Sequence, residues 1–120
     1  MRALVLTVLL GSSVTFAQPD PDPWLAPDKA LHFSVSATIA GAGYVGAAFL
    51  TDDVRLRLLA GGALAVTAGA AKELADLAGL GTPSWKDFTW DLFGTATGLL
   101  SAWLIDHFIV TPLLARPAIR

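Results

Sequence analysis

Cysteine is absent from the chain, which excludes disulfides, thiolate metal centres and cysteine nucleophiles together. Charge is scarce as well: Asp, Glu, Lys and Arg make up 15% of the residues, and no basic run occurs. Nucleic acid is therefore not an expected partner. No stretch alternates as a strand does. No phosphate-binding glycine loop, G-x-S-x-G elbow, H-E-x-x-H or dinucleotide fingerprint is present, and Ser34 and Ser36 read as packing hydroxyls rather than nucleophiles. The bulk of the 120 residues is apolar, 54% hydrophobic with a mean hydropathy of +0.61, above a typical soluble domain. Ala and Gly supply much of that bulk, which suits closely packed helices in lipid. The length accommodates one domain.

In chain order, residues 1–17 have the form of a secretory signal or an uncleaved anchor: Arg2, an apolar run, then small residues ending at Ala17. Either form exports the rest of the chain. Residues 18–27 begin with a proline-acid linker, Gln18-Pro19-Asp20-Pro21-Asp22-Pro23, that cannot be helical. A membrane domain of three helices is expected over 28–112, with a cytoplasmic tail at 113–120. Helix one should start near Pro27 and Asp28, with proline in the first turn and an acid at the positive end of the helix dipole, and run to about Leu50. From Ala30 to Leu50 only His32 is titratable among acids and bases, and about 21 residues suffice to span a bilayer. Thr51-Asp52-Asp53 should cap helix two, running to about Leu77. Gly79-Leu80-Gly81-Thr82-Pro83 reads as a turn. Helix three should start at the N-cap Ser84 and end near Val110, with Pro112 just beyond it. The fold class expected is all-α, a small membrane bundle of three long helices.

Export of the N-terminus places Arg55, Arg57, Arg116 and Arg120 on the cytoplasmic side, in accord with the positive-inside rule. The same topology brings three polar stretches to the outer face: Asp28 to His32, Lys72 to Asp76, and Ser84 to Asp91. Helical spacing runs from His32 to Ser36, Ala40 and Gly43, from Glu73 back to Gly69, Ala65 and Gly62, and from Asp87 and Asp91 to Gly94, Gly98 and Ser101. Small residues on such stripes let helices approach closely, and Gly94/Gly98 is a GxxxG pair. Trp24, Trp85 and Trp90 read as interfacial anchors. Tyr44 is expected to be a packing residue without an acidic neighbour, and Asp106 and His107 to face the cytoplasmic interface with no site.

Asp28, His32, Glu73, Asp76, Asp87 and Asp91 would thus converge, with Lys29, Lys72 and Lys86 beside them. Five carboxylates against three ammoniums require either protonated carboxyls or a neutralising cation. A hard divalent ion would suit Asp87, Asp91, Glu73 and Asp76, and His32 would admit zinc or manganese. Alternatively Asp91, Glu73, Asp87 or His32 would act as general acid or base, with Lys29, Lys72, Lys86 and Asp28 binding the ligand. A third reading makes the set a polar network that fixes helix packing. Position favours membrane lipid or a glycan-precursor head group as the partner, with a homo-oligomer or an envelope protein as the other candidate.

The stretches Asp28-Lys29-Ala30-Leu31-His32-Phe33, Lys72-Glu73-Leu74-Ala75-Asp76 and Ser84-Trp85-Lys86-Asp87-Phe88-Thr89-Trp90-Asp91-Leu92-Phe93-Gly94 together resemble the YfiM-like family of periplasmic lipoproteins, across essentially the whole chain after the signal. The first stretch is also similar to the start of VanZ-like membrane proteins. The chain departs from the lipoprotein pattern in having no cysteine to lipidate, so its helices would have to hold it in the membrane. The resemblance implies a protein of the bacterial cell envelope with its motif face exported. It brings no assigned activity.

Overall fold

The computed structural model describes residues 19–115, and over that range the chain is helical with no strand. The expected signal or anchor at 1–17 and residues 116–120 of the expected tail lie outside the described residues.

Helix α1 spans Pro27–Ala48. Pro27 occupies the first turn, where its missing N–H would have had no partner anyway, and Asp28 sits at the positive end of the dipole. The helix stops two residues before the expected Leu50, in a turn closed by the N–H groups of Phe49 and Leu50. Helix α2 spans Val54–Ala75, and the Asp53 carboxylate caps it by accepting from the Arg55 N–H at 2.8 Å. A wider turn continues from Asp76 to Gly79, where a φ of 97°, a left-handed value that glycine adopts without strain, breaks the helix in the stretch expected as a turn. Helix α3 spans Trp85–Ile105, capped by Ser84, whose Oγ accepts from the Asp87 N–H at 3.1 Å.

The end of α3 differs from expectation. Pro112 does not lie beyond the helix but inside its last stretch, since a π-type turn at Asp106–Val110 leads directly into Thr111–Leu114, α4. The Thr111 N–H reaches back five residues to Asp106 O. Widening the turn just before the proline removes the need for the hydrogen bond that proline cannot donate.

Helix α1 is the middle of the bundle, packed extensively on both α3 and α2, which touch each other less. Glycine makes both contacts close. A Cβ at Gly94 or Gly98 of α3 would strike the carbonyl oxygens of Phe33 and Ala37 on α1, and one at Gly61 of α2 would strike Ala40 O and lie 2.9 Å from Tyr44 N. The stripe on α2 therefore runs through Gly61, Ala65 and Gly69, all buried, rather than through the expected Gly62. Ser101, expected on the packing face of α3, is exposed.

The distribution of polarity is inverted. Among the described residues the buried apolar side chains are Ala40, Tyr44 and Ala65, whereas Lys29, Ser36, Arg57, Ser84, Asp87, Asp91 and Thr95 are all buried. Large apolar side chains such as Leu31, Leu59, Leu74, Phe93, Leu100 and Phe108 point outward. Among the described residues, two helices are long and apolar enough to cross a membrane, Val54–Leu80 and Trp85–Leu114. The third expected span, α1, does not join them: it has the length, but His32, Ser34, Ser36, Thr38, Tyr44 and its glycines dilute its hydropathy.

Candidate functional site

The deepest acid is Asp91, a turn and a half into α3 and 3% exposed. Its Oδ1 accepts from Ser36 Oγ at 2.8 Å and lies 3.0 Å from His32 Nδ1. Both partners are on α1, one turn apart, so a single face of α1 holds this oxygen. Among the described residues Oδ2 has no hydrogen-bond partner. It faces Gly69 of α2, where a Cβ would stand only 2.7 Å away. Glycine at 69 is thus what admits the carboxylate between the helices.

One turn outward on α3 lies Asp87, also buried. His32 connects the two acids, since its Nε2 is 3.4 Å from Asp87 Oδ2. An imidazole between two carboxylates can donate to either one, or to both when charged. The remaining surroundings of Asp87 are ammonium groups. Lys29 Nζ lies 2.5 Å from Asp87 Oδ1, an ion pair off hydrogen-bond alignment, and Lys72 Nζ donates to Oδ2 at 3.2 Å.

Each of these lysines is held by three acids. Lys29, buried at the N-terminus of α1, also pairs with Asp28 at 2.8 Å and with Asp22. Lys72, near the C-terminus of α2, also pairs with Glu73 at 3.0 Å and Asp76 at 2.8 Å. Glu73 extends the network to the cap of α3 by accepting from the Ser84 N–H at 2.7 Å. Asp76 packs against the backbone at Gly81, which ties it to the turn before α3.

The linker completes the site, a contribution not anticipated from its composition. Asp22 accepts from Ser84 Oγ at 2.6 Å as well as from Lys29. Asp20 accepts from Lys86 Nζ at 2.6 Å, and Lys86 Nζ donates to Asp22 O as well. Hydrogen bonds from Lys29 and then Ser84 hold the Asp22 carboxyl below the usual carboxylate range, and the Lys86 ammonium does the same to Asp20. Trp24 stacks edge-on against Trp85 at 4.9 Å between ring centroids, and its carbonyl accepts from Trp90 Nε1 at 3.0 Å. Lys86 therefore faces the linker and Trp24 rather than Asp87.

The expected residues do meet at one end of the bundle, in a different arrangement from the one expected for a metal. His32, Glu73 and Asp87 place donor atoms within 4.8 Å of one another, as do Asp22, Asp28 and Asp87. Neither set includes Asp91 or Asp76, which were grouped with Glu73 and Asp87 from sequence: Asp91 is committed to Ser36 and His32, and Asp76 to Lys72. An imidazole nitrogen and two carboxylates are donor types that suit a divalent ion. In this arrangement the Lys72 ammonium already bridges Glu73, Asp76 and Asp87, so charge neutralisation comes from within the chain.

Beside Asp91 a cavity of about 260 Å³ opens between α1 and α2. His32, Ser36, Lys72 and Asp91 are its polar lining, and Leu31, Val35, Ile39 and Ala68 its apolar lining. A few polar groups in an otherwise apolar lining are the arrangement of a small ligand site.

A second polar cluster occupies the opposite end, and it corrects the expectation for Tyr44 and Asp106. The Tyr44 hydroxyl donates to Asp106 Oδ2 at 2.7 Å, and Arg57 Nη1 donates to the same oxygen at 2.8 Å. Arg57 also reaches Thr51 O at 2.8 Å. One residue from each helix and one from the α1–α2 loop thus form a polar clasp. The sequence signal was Arg57 at the predicted start of helix two, but the Asp106 contacts with Arg57 and Tyr44 span 49 and 62 residues of chain and no short spacing reports them.

Comparison with protein-family models, curated proteins and solved structures finds no match. Fold and site define the class at this level: an all-helical bundle with an ionic cluster at one end.

Proposed function

We propose that the chain is an integral membrane protein of the cell envelope whose ionic end, on the exported side, binds or acts on lipid head groups. The observation carrying this reading is the inverted polarity. Only 22% of the apolar stretch of Val54–Leu80 and 6% of that of Trp85–Leu114 is buried, whereas a core helix of a water-soluble protein buries most of its apolar length. Exposed Leu, Phe and Ile around an interior of glycine, alanine and ion pairs suits hydrocarbon as the solvent. Arginines at the other end support the orientation, and the resemblance to an exported family agrees with it. In the functional assignment, Asp91 and Glu73 serve as acid or base, His32 relays a proton between Asp91 and Asp87, and Lys72 orients the head group. Lys72 is held by three acids as Lys29 is, but its side chain is 39% exposed, whereas Lys29 is 2% and Lys86 11% exposed, so Lys29 and Lys86 maintain the site rather than attract an anion.

A second reading has its own support: nearly every charge in the cluster is paired within the chain, as a register-fixing polar network requires. The two are separated by thermal stability in detergent of the wild type, Asp91→Asn and Glu73→Gln, with and without divalent cations. Functional acids are held together at the expense of stability, so neutralising one leaves stability equal or raised. A structural pair loses about 3 kcal/mol when one partner is removed. Sharp destabilisation of both variants, with unchanged turnover or binding of purified envelope lipids, would exclude the functional reading. Recovery of the protein as a lipid-free species in the soluble periplasmic fraction would exclude both.

A further inference from the structure

The cavity beside Asp91 combines three features that narrow what it can hold. Its lining includes Asp91, whose Oδ2 is buried, lies against Gly69 of the same lining and has no hydrogen-bond partner among the described residues, a costly state for an acceptor and more so for a charged one. Its walls, Leu31, Val35, Ile39 and Ala68, are aliphatic and belong to the outer surface of α1 and α2. Its volume of about 260 Å³ is at or below the low end of ordinary small-molecule pockets, roughly 300–1,000 Å³. A ligand would insert one small polar group and leave its apolar body along the outside of the bundle.

Depth adds a fourth constraint. Trp85–Leu114 has 30 residues, about 45 Å of helix, matching a bilayer with its head-group layers at roughly 40–45 Å. Asp91 lies six residues from the start, about 9 Å down. That puts it about 13 Å from the midplane, near the edge of a hydrocarbon core roughly 30 Å thick. Phosphates and ammoniums of phospholipids lie farther out. A phosphate would moreover set negative charge against Asp91, and a quaternary ammonium has no hydrogen to donate.

We infer that this cavity is a binding site for the free hydroxyl of a neutral membrane lipid, an alcohol on an apolar body such as a diacylglycerol, with Asp91 Oδ2 accepting its hydrogen. Lys72, in the same lining and partly exposed, turns one N–H from its carboxylates to the lipid's neighbouring oxygen atoms. The inference rests on the lipid head-group reading above and specifies its ligand class. It also gives Gly69 a function: any side chain there would press on Oδ2 and displace it.

The full chain in detergent micelles, titrated with dioleoylglycerol, its 3-O-acetyl derivative and dioleoyl phosphatidic acid under native mass spectrometry, tests this. Dioleoylglycerol should bind at least about tenfold more tightly than the acetylated form, the worth of one hydrogen bond to a charged group. Asp91→Asn should reduce that preference. Ala68→Phe, on the outer wall and clear of every ion pair, should abolish binding while far-UV circular dichroism stays unchanged. Equal binding of the free and acetylated lipids overturns the inference. Preferred binding of phosphatidic acid, blocked by Ala68→Phe, overturns the alcohol but keeps the head-group reading. No effect of Ala68→Phe on any of the lipids removes the cavity as a lipid site and the inference with it.

Discussion

Replacing Gly69 with alanine adds one methyl group against the Asp91 carboxylate, and the structure fixes what it meets. The new Cβ would lie 2.7 Å from Oδ2, 3.1 Å from Cγ and 3.2 Å from the Asp91 Cβ. The carboxylate cannot turn away without straining the contacts that hold Oδ1 to Ser36 and His32. Overpacking of this kind costs about 1–3 kcal/mol, and a shifted carboxylate weakens two bonds to a charged group, each worth about 1.5–3 kcal/mol. Against this, alanine gains about 1 kcal/mol over glycine in a helix interior. The net expectation is destabilisation by about 2 kcal/mol. In an Asp91→Ala background the obstruction is gone, and the same substitution should be neutral or stabilising by up to about 1 kcal/mol. The measurement is a double-mutant cycle on denaturant unfolding in mixed micelles, followed by tryptophan fluorescence. A coupling of about 2 kcal/mol or more is expected, far above the roughly 0.5 kcal/mol scatter of independent sites. Gly69→Ala effects equal in the two backgrounds would refute the packing of Asp91 against α2.

At the other end, Arg57→Ala leaves the Asp106 carboxylate without its guanidinium partner and should cost about 3 kcal/mol, whereas Tyr44→Phe should cost about 1 kcal/mol; the reverse order in the same unfolding assay would contradict the clasp. Enlarging Gly98 to leucine should lower stability through the α1–α3 contact without changing the oligomeric state on size-exclusion chromatography, because the Gly94/Gly98 pair is used within the chain. Below neutral pH the linker should respond only to strong acid. Asp20 and Asp22 titrate below the usual carboxylate range in the fold, so their contribution is present above the unfolded value of about 3.9 and is lost as pH falls through the lower folded values. Fluorescence of the Trp24–Trp85 contact should hold steady from neutral pH to about 4 and change only below it; a transition near pH 6 would implicate a different group.

Local signals in the chain reported local structure well. Pro27, Asp53 and Ser84 mark helix starts because capping is decided by a few adjacent atoms, and all three do so here. The meeting of His32, Lys72, Glu73, Asp87 and Asp91 also came from helical spacing and from alternating helix direction. The features that escaped were pairings without a period. Asp20 and Asp22 sit in a proline-rich stretch whose only visible property is that it is not helical, and their attachment to Lys86, Lys29 and Ser84 depends on where the chain happens to return. The Tyr44–Asp106–Arg57 clasp joins single residues from three helices, and nothing near each of them distinguishes it from an ordinary packing or interfacial residue. Pro112 misled because a proline normally ends a helix, and only the unusual turn preceding it lets the helix continue.

Lys29 and Lys72 each sit among three carboxylates, with Asp87 common to both. A counter-ion attached to the backbone is present at a fixed effective concentration, of millimolar order even for a short flexible tether and higher for a side chain on a rigid helix. It cannot be dialysed away, chelated, or exchanged as the outside medium changes in ionic strength. On the exported orientation proposed above, the site would meet such changes directly, and its own cations would keep its acids gathered in a medium that the cell does not control.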